Sequence, residues 1–244
     1  MKLCRWPLRA LPGAGRPAAS AAAGALLLAL SLALSLAAPA RSADEAGHNI
    51  GLFGYLEFAS GELAALPLWR DALARIAGER RRIGECEAEV SRCGSVPLTV
   101  WRAKVSELQT LGALQRLIEV NRYVNAFPRR AEDAALAAVE RWASPLEFLE
   151  RGGTAKDFAV MKFATLRDAG VANEAMRIVV VYDALNHRRH AVLAVALEEA
   201  TYILDNVANA VQPADKVRFY VPYYSVNETT RWAHVVRRPG PTSG

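Results

Sequence analysis

At 244 residues the chain is long enough for one domain with a sizeable core once a leader is set aside. Its formal charge of +5 comes from the first 43 residues, where Lys2, Arg5, Arg9, Arg16 and Arg41 meet no acid; the other 25 basic residues balance the 25 acidic ones. With no surviving positive excess, the mature chain lacks the electrostatic footprint of a nucleic-acid binder, and Arg80-Arg81-Arg82 and His187-Arg188-Arg189 read as solvated faces.

The basic start leads into an apolar run from Ala18 to Ala38, followed by Pro39-Ala40-Arg41-Ser42-Ala43. That order describes a secretory signal over residues 1–43. The run also has the roughly 20-residue length of a membrane helix, so an uncleaved anchor stays open. Residues 44–238 are expected to form the exported domain, without a membrane span of their own, and residues 239–244 a disordered tail.

Residues 44–60 read as irregular, with a short apolar segment from Leu52 to Phe58. From Gly61 to Ile83, Leu63, Leu66, Leu73 and Ile76 recur at helical spacing around Pro67, which predicts one broken helix or two short ones. Pro97 opens a further helix, with Trp101, Val105, Leu108 and Leu111 on one face. Leu114, Leu117, Ile118, Val120, Tyr123 and Val124 form the next, closing before Pro128. Ala131 to Ala143 is alanine-rich and helical, and Ser144-Pro145 restarts a turn through Leu149.

Cys4 lies in the leader, which leaves Cys86 and Cys93 as an isolated pair in an exported protein, where a disulfide is the default. In one continuous helix their Cα atoms would stand about 10.5 Å apart, beyond the ~7 Å limit for a bridge. Either the helix breaks near Val90-Ser91 or the thiols stay apart; the bridge is the expectation.

The chain is organised around Arg151 to Gly170. The Gly152-Gly153 pair supplies a turn, Thr154 is an N-cap, and Asp157 stands at the acidic position of a capping box. Phe158, Met161 and Leu166, with Ala155, Ala159 and Ala169, then make a helical stripe that Gly170 ends. Ala155 therefore occupies the first helical position, where orphan amides and the positive end of the dipole would activate a cysteine as a thiolate. A methyl group stands there instead.

Beyond Gly170 the period changes. Arg177 to Tyr182 is continuous and β-branched, as a buried strand should be; His190 to Leu197, Thr201 to Leu204 and Thr230 to Val236 are expected as further strands. Helices first, strands last and short connections predict an α+β fold with an antiparallel sheet. With a turn near Glu198, paired positions sum to 395 or 397, so His190 faces Asp205 or Val207. Either register puts His190 and Asp205 on one face within a step of each other. Such a pair is either the base and orienter of a triad or an ordinary cross-strand contact.

Several of these stretches together resemble a known family. Val120-Asn121-Arg122-Tyr123-Val124-Asn125, Leu146-Glu147-Phe148-Leu149, Arg151-Gly152-Gly153, Asp157-Phe158-Ala159, Arg177 to Val181, His190 to Val195, Leu204-Asp205-Asn206 and Tyr220 to Glu228 are similar, in order, to the bacterial transglutaminase-like cysteine proteinases, the LapG-type periplasmic proteases. The resemblance implies a papain/transglutaminase-like α+β fold. It also implies that Ala155 stands where the nucleophilic cysteine belongs, that His190 matches the general base and that Asp205 matches its orienting acid. The family's helix start reads Gly-Asp-Cys-Glu-Asp-Tyr against Gly153-Thr154-Ala155-Lys156-Asp157-Phe158 here. Of the acidic residues that serve calcium in LapG-type members, Thr154 and Lys156 are replacements and Asp157 is retained. No cofactor is therefore expected, because an ammonium opposes a cation that wants several oxygen ligands.

Alanine has no lone pair to attack a carbonyl, so thiolate catalysis is closed. The neighbours have changed along with the cysteine, which points to a natural pseudoenzyme in the periplasm or secreted. Its expected partners are the family's own, the N-terminal part of a surface adhesin or the periplasmic domain of a cyclic-di-GMP receptor. The alternative is a hydrolase of altered chemistry that uses His190 and Asp205 on bound water.

Overall fold

The computed structural model describes residues 51–130, 141–198 and 200–236. The leader, most of the alanine-rich stretch after Ala131 and the 239–244 tail lie outside the described residues.

Apart from one short edge strand before them, the helices precede the strands of the sheet. Helix α1 spans Pro67–Ala88, α2 Val96–Gln109, α3 Ala113–Asn125, α4 Pro145–Arg151 and α5 Ala155–Asp168. Proline stands in the first turn of α1, α2 and α4, where its missing N–H costs nothing. The break expected at Pro67 separates a 3-10 turn, Leu63–Ala65, from α1. Helix α1 stops at Ala88, Glu89 is extended, and a 3-10 turn over Val90–Arg92 folds the chain back. This break brings the Cα atoms of Cys86 and Cys93 to 4.1 Å, and the two are joined by a disulfide. Replacing both with serine should lower stability by about 2.5 kcal/mol, the loop-closure value for so short a ring. Urea unfolding of Cys86→Ser/Cys93→Ser beside the parent measures it.

Among the described residues, seven antiparallel strands form one sheet in the order β1-β7-β6-β2-β3-β4-β5. They are β1 Leu56–Ser60, β2 Met176–Asp183, β3 Arg188–Ala196, β4 Thr201–Leu204, β5 Gln212–Pro213, β6 Tyr220–Val226 and β7 Arg231–Val235. Four of them match the expected strands. The segment before Ser60, expected to be irregular, instead supplies β1 at one sheet edge, paired with β7. Strand β6 lies between β2 and β7 and was hidden by Pro222, since a proline cannot donate to a ladder. The β2–β6 register shifts between Val180, opposite Tyr224, and Val181, opposite Pro222, so the proline sits at a bulge.

Strand β2 is buried on both faces, which explains its unbroken apolar run. Ile178 joins the large core beneath the helices, with Trp69, Trp101, Phe148, Phe158 and Met161. Val179 and Val181 join a second cluster on the opposite face, with Val192, Ile203 and Tyr220. Helix α5 packs on β2 and β3, and α3 packs on α5. The long helix that begins at Ala155 is thus wedged between the other helices and the sheet, and ten consecutive residues of it, Asp157 to Leu166, are buried.

Candidate active site

The start of α5 is built as its sequence requires. Thr154 and Asp157 form a capping box: the Asp157 carboxylate accepts the Thr154 amide at 2.9 Å and the Thr154 hydroxyl at 3.1 Å. Its other oxygen accepts the Ala143 amide at 2.8 Å. Lys156 turns its ammonium onto the Thr154 hydroxyl at 3.0 Å. Gly152 has φ +67, and a Cβ there would lie 2.0 Å from the Pro128 carbonyl oxygen, so the turn into the helix admits no side chain. Residues 128–130 run alongside: Arg129 bridges Gly153, the Arg130 amide donates to the Gly153 carbonyl at 2.9 Å, and Gly153 donates to Pro128 at 3.2 Å.

On the sheet, β3 and β4 pair with Leu193 opposite Leu204 and Ala196 opposite Thr201, the register whose positions sum to 397. His190 and Asp205 accordingly share a face, and His190 Nε2 lies 2.8 Å from Asp205 Oδ1. Both side chains are nearly sealed, at 2% and 11% exposure. Asp205 Oδ1 also accepts the Val207 amide at 3.0 Å, and Oδ2 accepts the Tyr220 hydroxyl from β6. Burial by itself would raise this carboxyl. The hydrogen bond and charge of His190, the Tyr220 hydroxyl and the Val207 amide outweigh it and hold Asp205 below the usual carboxylate range. Burial and then the Asp205 charge push the Tyr220 phenol upward, so it stays a donor. With Nε2 engaged, Nδ1 is the imidazole nitrogen left for chemistry. Tyr220→Phe should cost about 1.5–3 kcal/mol, the worth of a hydrogen bond to a charged group. It should also raise the pH at which acid unfolds the protein, because a carboxyl depressed in the folded state contributes stability that is lost as pH falls through its folded pKa. An acid-unfolding titration of the variant beside the parent tests both.

Sequence reasoning did not identify what holds Asp205 in place. Asn125 Nδ2 donates to the Asp205 carbonyl at 2.9 Å and to Ala208 O at 3.0 Å, and Asn121 Nδ2 donates to Ala208 O at 2.9 Å and Asn209 O at 3.1 Å. The Arg129 guanidinium reaches the Asn206 carbonyl. Residues 205–209 are thus clamped by α3 and by the segment that also borders Gly153, which links the helix start to the imidazole–carboxylate pair. Two asparagines four apart on an amphipathic helix were the available signal. Lys162 was missed as well. It is 1% exposed, and its ammonium has no hydrogen-bond partner among the described residues. Burial pushes its pKa down to about 7, with Asp205 opposing and Arg129 reinforcing the shift.

A nucleophile–base–acid alignment does exist elsewhere, in the sheet. Ser225 Oγ lies 3.0 Å from His234 Nε2, and His234 Nδ1 lies 3.5 Å from Glu57, which also binds Arg177 at 2.7 Å. Ser225 is fully buried and the His234 side chain is 0% exposed, so no substrate reaches this hydroxyl; the network fastens β1 and β7 to β2 and β6.

No helix among the described residues is long and apolar enough to cross a membrane. No curated protein matches the chain. Among solved structures, calcium-bound LapG of Legionella pneumophila is 27% identical over 60% of this chain and 83% of its own, with a TM-score of 0.54. EGTA-treated LapG of the same organism is 28% identical over 56% of this chain and 75% of its own, with a TM-score of 0.52. The helices-then-sheet architecture is therefore the transglutaminase-like fold expected from sequence. The family model described as bacterial transglutaminase-like cysteine proteinase matches residues 84–239, and the chain belongs to that family.

Proposed function

We propose that the chain is an exported member of its family that binds a protein partner without cutting it. The observation that carries this reading is the methyl group of Ala155 at the first position of α5 in a protein that keeps a His190–Asp205 pair at 2.8 Å. A base and its orienter without a nucleophile leave recognition intact and close covalent catalysis. The partner follows from the family resemblance: the N-terminal region of a surface adhesin, or the periplasmic domain of a cyclic-di-GMP receptor. The reading includes a periplasmic or secreted location and no calcium requirement. Both Asp157 oxygens are spent on amides and a hydroxyl, and Lys156 places an ammonium beside them, a donor set that does not fit a calcium ion.

Purified protein incubated with an adhesin fragment is expected to bind it and leave it intact. Cleavage that disappears in His190→Ala would overturn the proposal and establish the second reading, in which His190 and Asp205 activate water. That second reading draws on the same 2.8 Å pair, and such a base supplies only about 10²–10⁴ without a covalent step.

A further inference from the structure

We propose that residues 51–60 form a strap released by acid: the neutral His234 imidazole keeps it on the sheet, and its release withdraws Phe53 from Tyr220, whose hydroxyl holds Asp205. Such a strap acts on the imidazole–carboxylate pair whether or not the protein cuts its partner.

Strand β1 pairs with β7 alone, and no strand lies beyond it among the described residues. The strap also precedes residues 84–239, over which the family model matches. Its first part, the turn Leu52–Gly54, packs on the face of the sheet opposite the helices, where the buried Leu52 joins Val179, Val181 and Tyr220. Phe53 takes a left-handed φ of +56, which side chains rarely adopt, and its ring stands edge-on to Tyr220 with centroids 5.9 Å apart. Tyr220 in turn lies against His190, at 5.7 Å between centroids, and donates to Asp205.

One carboxylate fastens the strap. Glu57 Oε1 accepts the Leu52 amide at 2.7 Å, and Oε2 accepts the Arg177 guanidinium at 2.7 Å. His234 stands opposite Glu57 in the β1–β7 register. Its Nε2 lies 3.0 Å from the Ser225 hydroxyl; its Nδ1 lies 3.5 Å from Glu57 Oε1 and has no hydrogen-bond partner among the described residues. The charged groups that face this ring are Glu57 from β1 and Arg177 from β2, while β6 presents the Ser225 hydroxyl.

A proton on the sealed ring would place a second cation near Arg177, against a carboxylate that Arg177 and Leu52 already use. Burial, opposed by Glu57 and reinforced by Arg177, accordingly pushes the imidazole pKa down. Lifting β1 away uncovers the ring to water, where an imidazole titrates near 6.5. Between the docked value and about 6.5 the released state carries a proton that the docked state lacks. Docking is therefore complete above that range and weakens as pH falls through it.

Hydrogen exchange of the full chain, read amide by amide at pH 7.5, 6.5 and 5 and corrected for the intrinsic rate, is the test. Acid should increase opening at the Leu52 and Tyr55 amides, by up to about 30-fold at pH 5, the limit for an imidazole of 6.5 that stays neutral while docked. The Val207 amide, bonded to Asp205, should open in step while the β2 amides keep their protection. His234→Gln, which takes up no proton, should hold the strap equally at pH 7.5 and 5. Strap exchange that does not rise in acid, or that rises as much in His234→Gln, overturns the proposal. Loss of β2 protection together with the strap also overturns it, and needs no variant to be seen, because it marks global unfolding. A Val207 amide indifferent to pH while the strap opens overturns the link to Asp205.

Discussion

The triple variant Thr154→Asp/Ala155→Cys/Lys156→Glu is expected to cleave an adhesin fragment at least about 10³-fold faster than the parent, a barrier difference of about 4 kcal/mol, and to do so only with calcium present. Cys at position 155 would stand at the first position of α5, where the orphan amides of a helix start and the helix dipole stabilise a thiolate. The imidazole–carboxylate pair and the groups that hold it are already built. His190 is held by Asp205 at 2.8 Å, Asp205 by Tyr220 and Val207, and its loop by Asn121, Asn125 and Arg129. The two flanking carboxylates matter as much as the sulfur, since they replace an ammonium by oxygen ligands. Rates measured with calcium and with a chelator decide the matter. An inert triple variant that still binds the fragment would show that the protein has lost more than a nucleophile.

Lys162→Met should make the protein more stable by about 4–5 kcal/mol at and below neutral pH. The amine is pushed down to about 7 in the folded protein, whereas an unfolded lysine titrates near 10.4. Below about pH 7 both states hold the proton, and folding bears the whole cost of burying an unpartnered ammonium. Between about 7 and 10.4 the unfolded chain keeps a proton that the folded one has shed, so parent stability rises with pH; above that range the cost is gone. Methionine fills similar space without a charge, so the variant should lose this slope as well as gain stability. Urea midpoints at pH 6, 8 and 10 test both effects. A variant less stable than the parent at pH 6 would show that the ammonium is held by an interaction stronger than its desolvation. The residue is kept at a cost to the fold, as groups serving a site commonly are.

How much of this was legible beforehand follows from the range of each interaction. The start of α5 could be read directly, because Gly152, Thr154 and Asp157 act on one another within five residues. The break before α1, the run of β2 and the β3–β4 hairpin were equally local, and hairpin arithmetic sufficed to place His190 and Asp205 on one face. Strand β6 was not legible, because Pro222 argues against a strand unless a partner strand supplies a bulge, and that partner lies some forty residues earlier in the chain. Tyr220, Asn121 and Asn125 reach Asp205 and its loop from positions 15 and about 80 residues away. The spacing of the two asparagines and the family-like stretches that hold all three mark the residues, but not the carboxylate and loop they reach. The sequence alone determined the family, the α+β order and the methyl group at position 155, since these reside in side-chain identity and in spacings of a few residues. Only the tertiary structure decided how the Asp205 carboxylate is satisfied and that Lys162 is buried, because each depends on which distant segments exclude water from the same point.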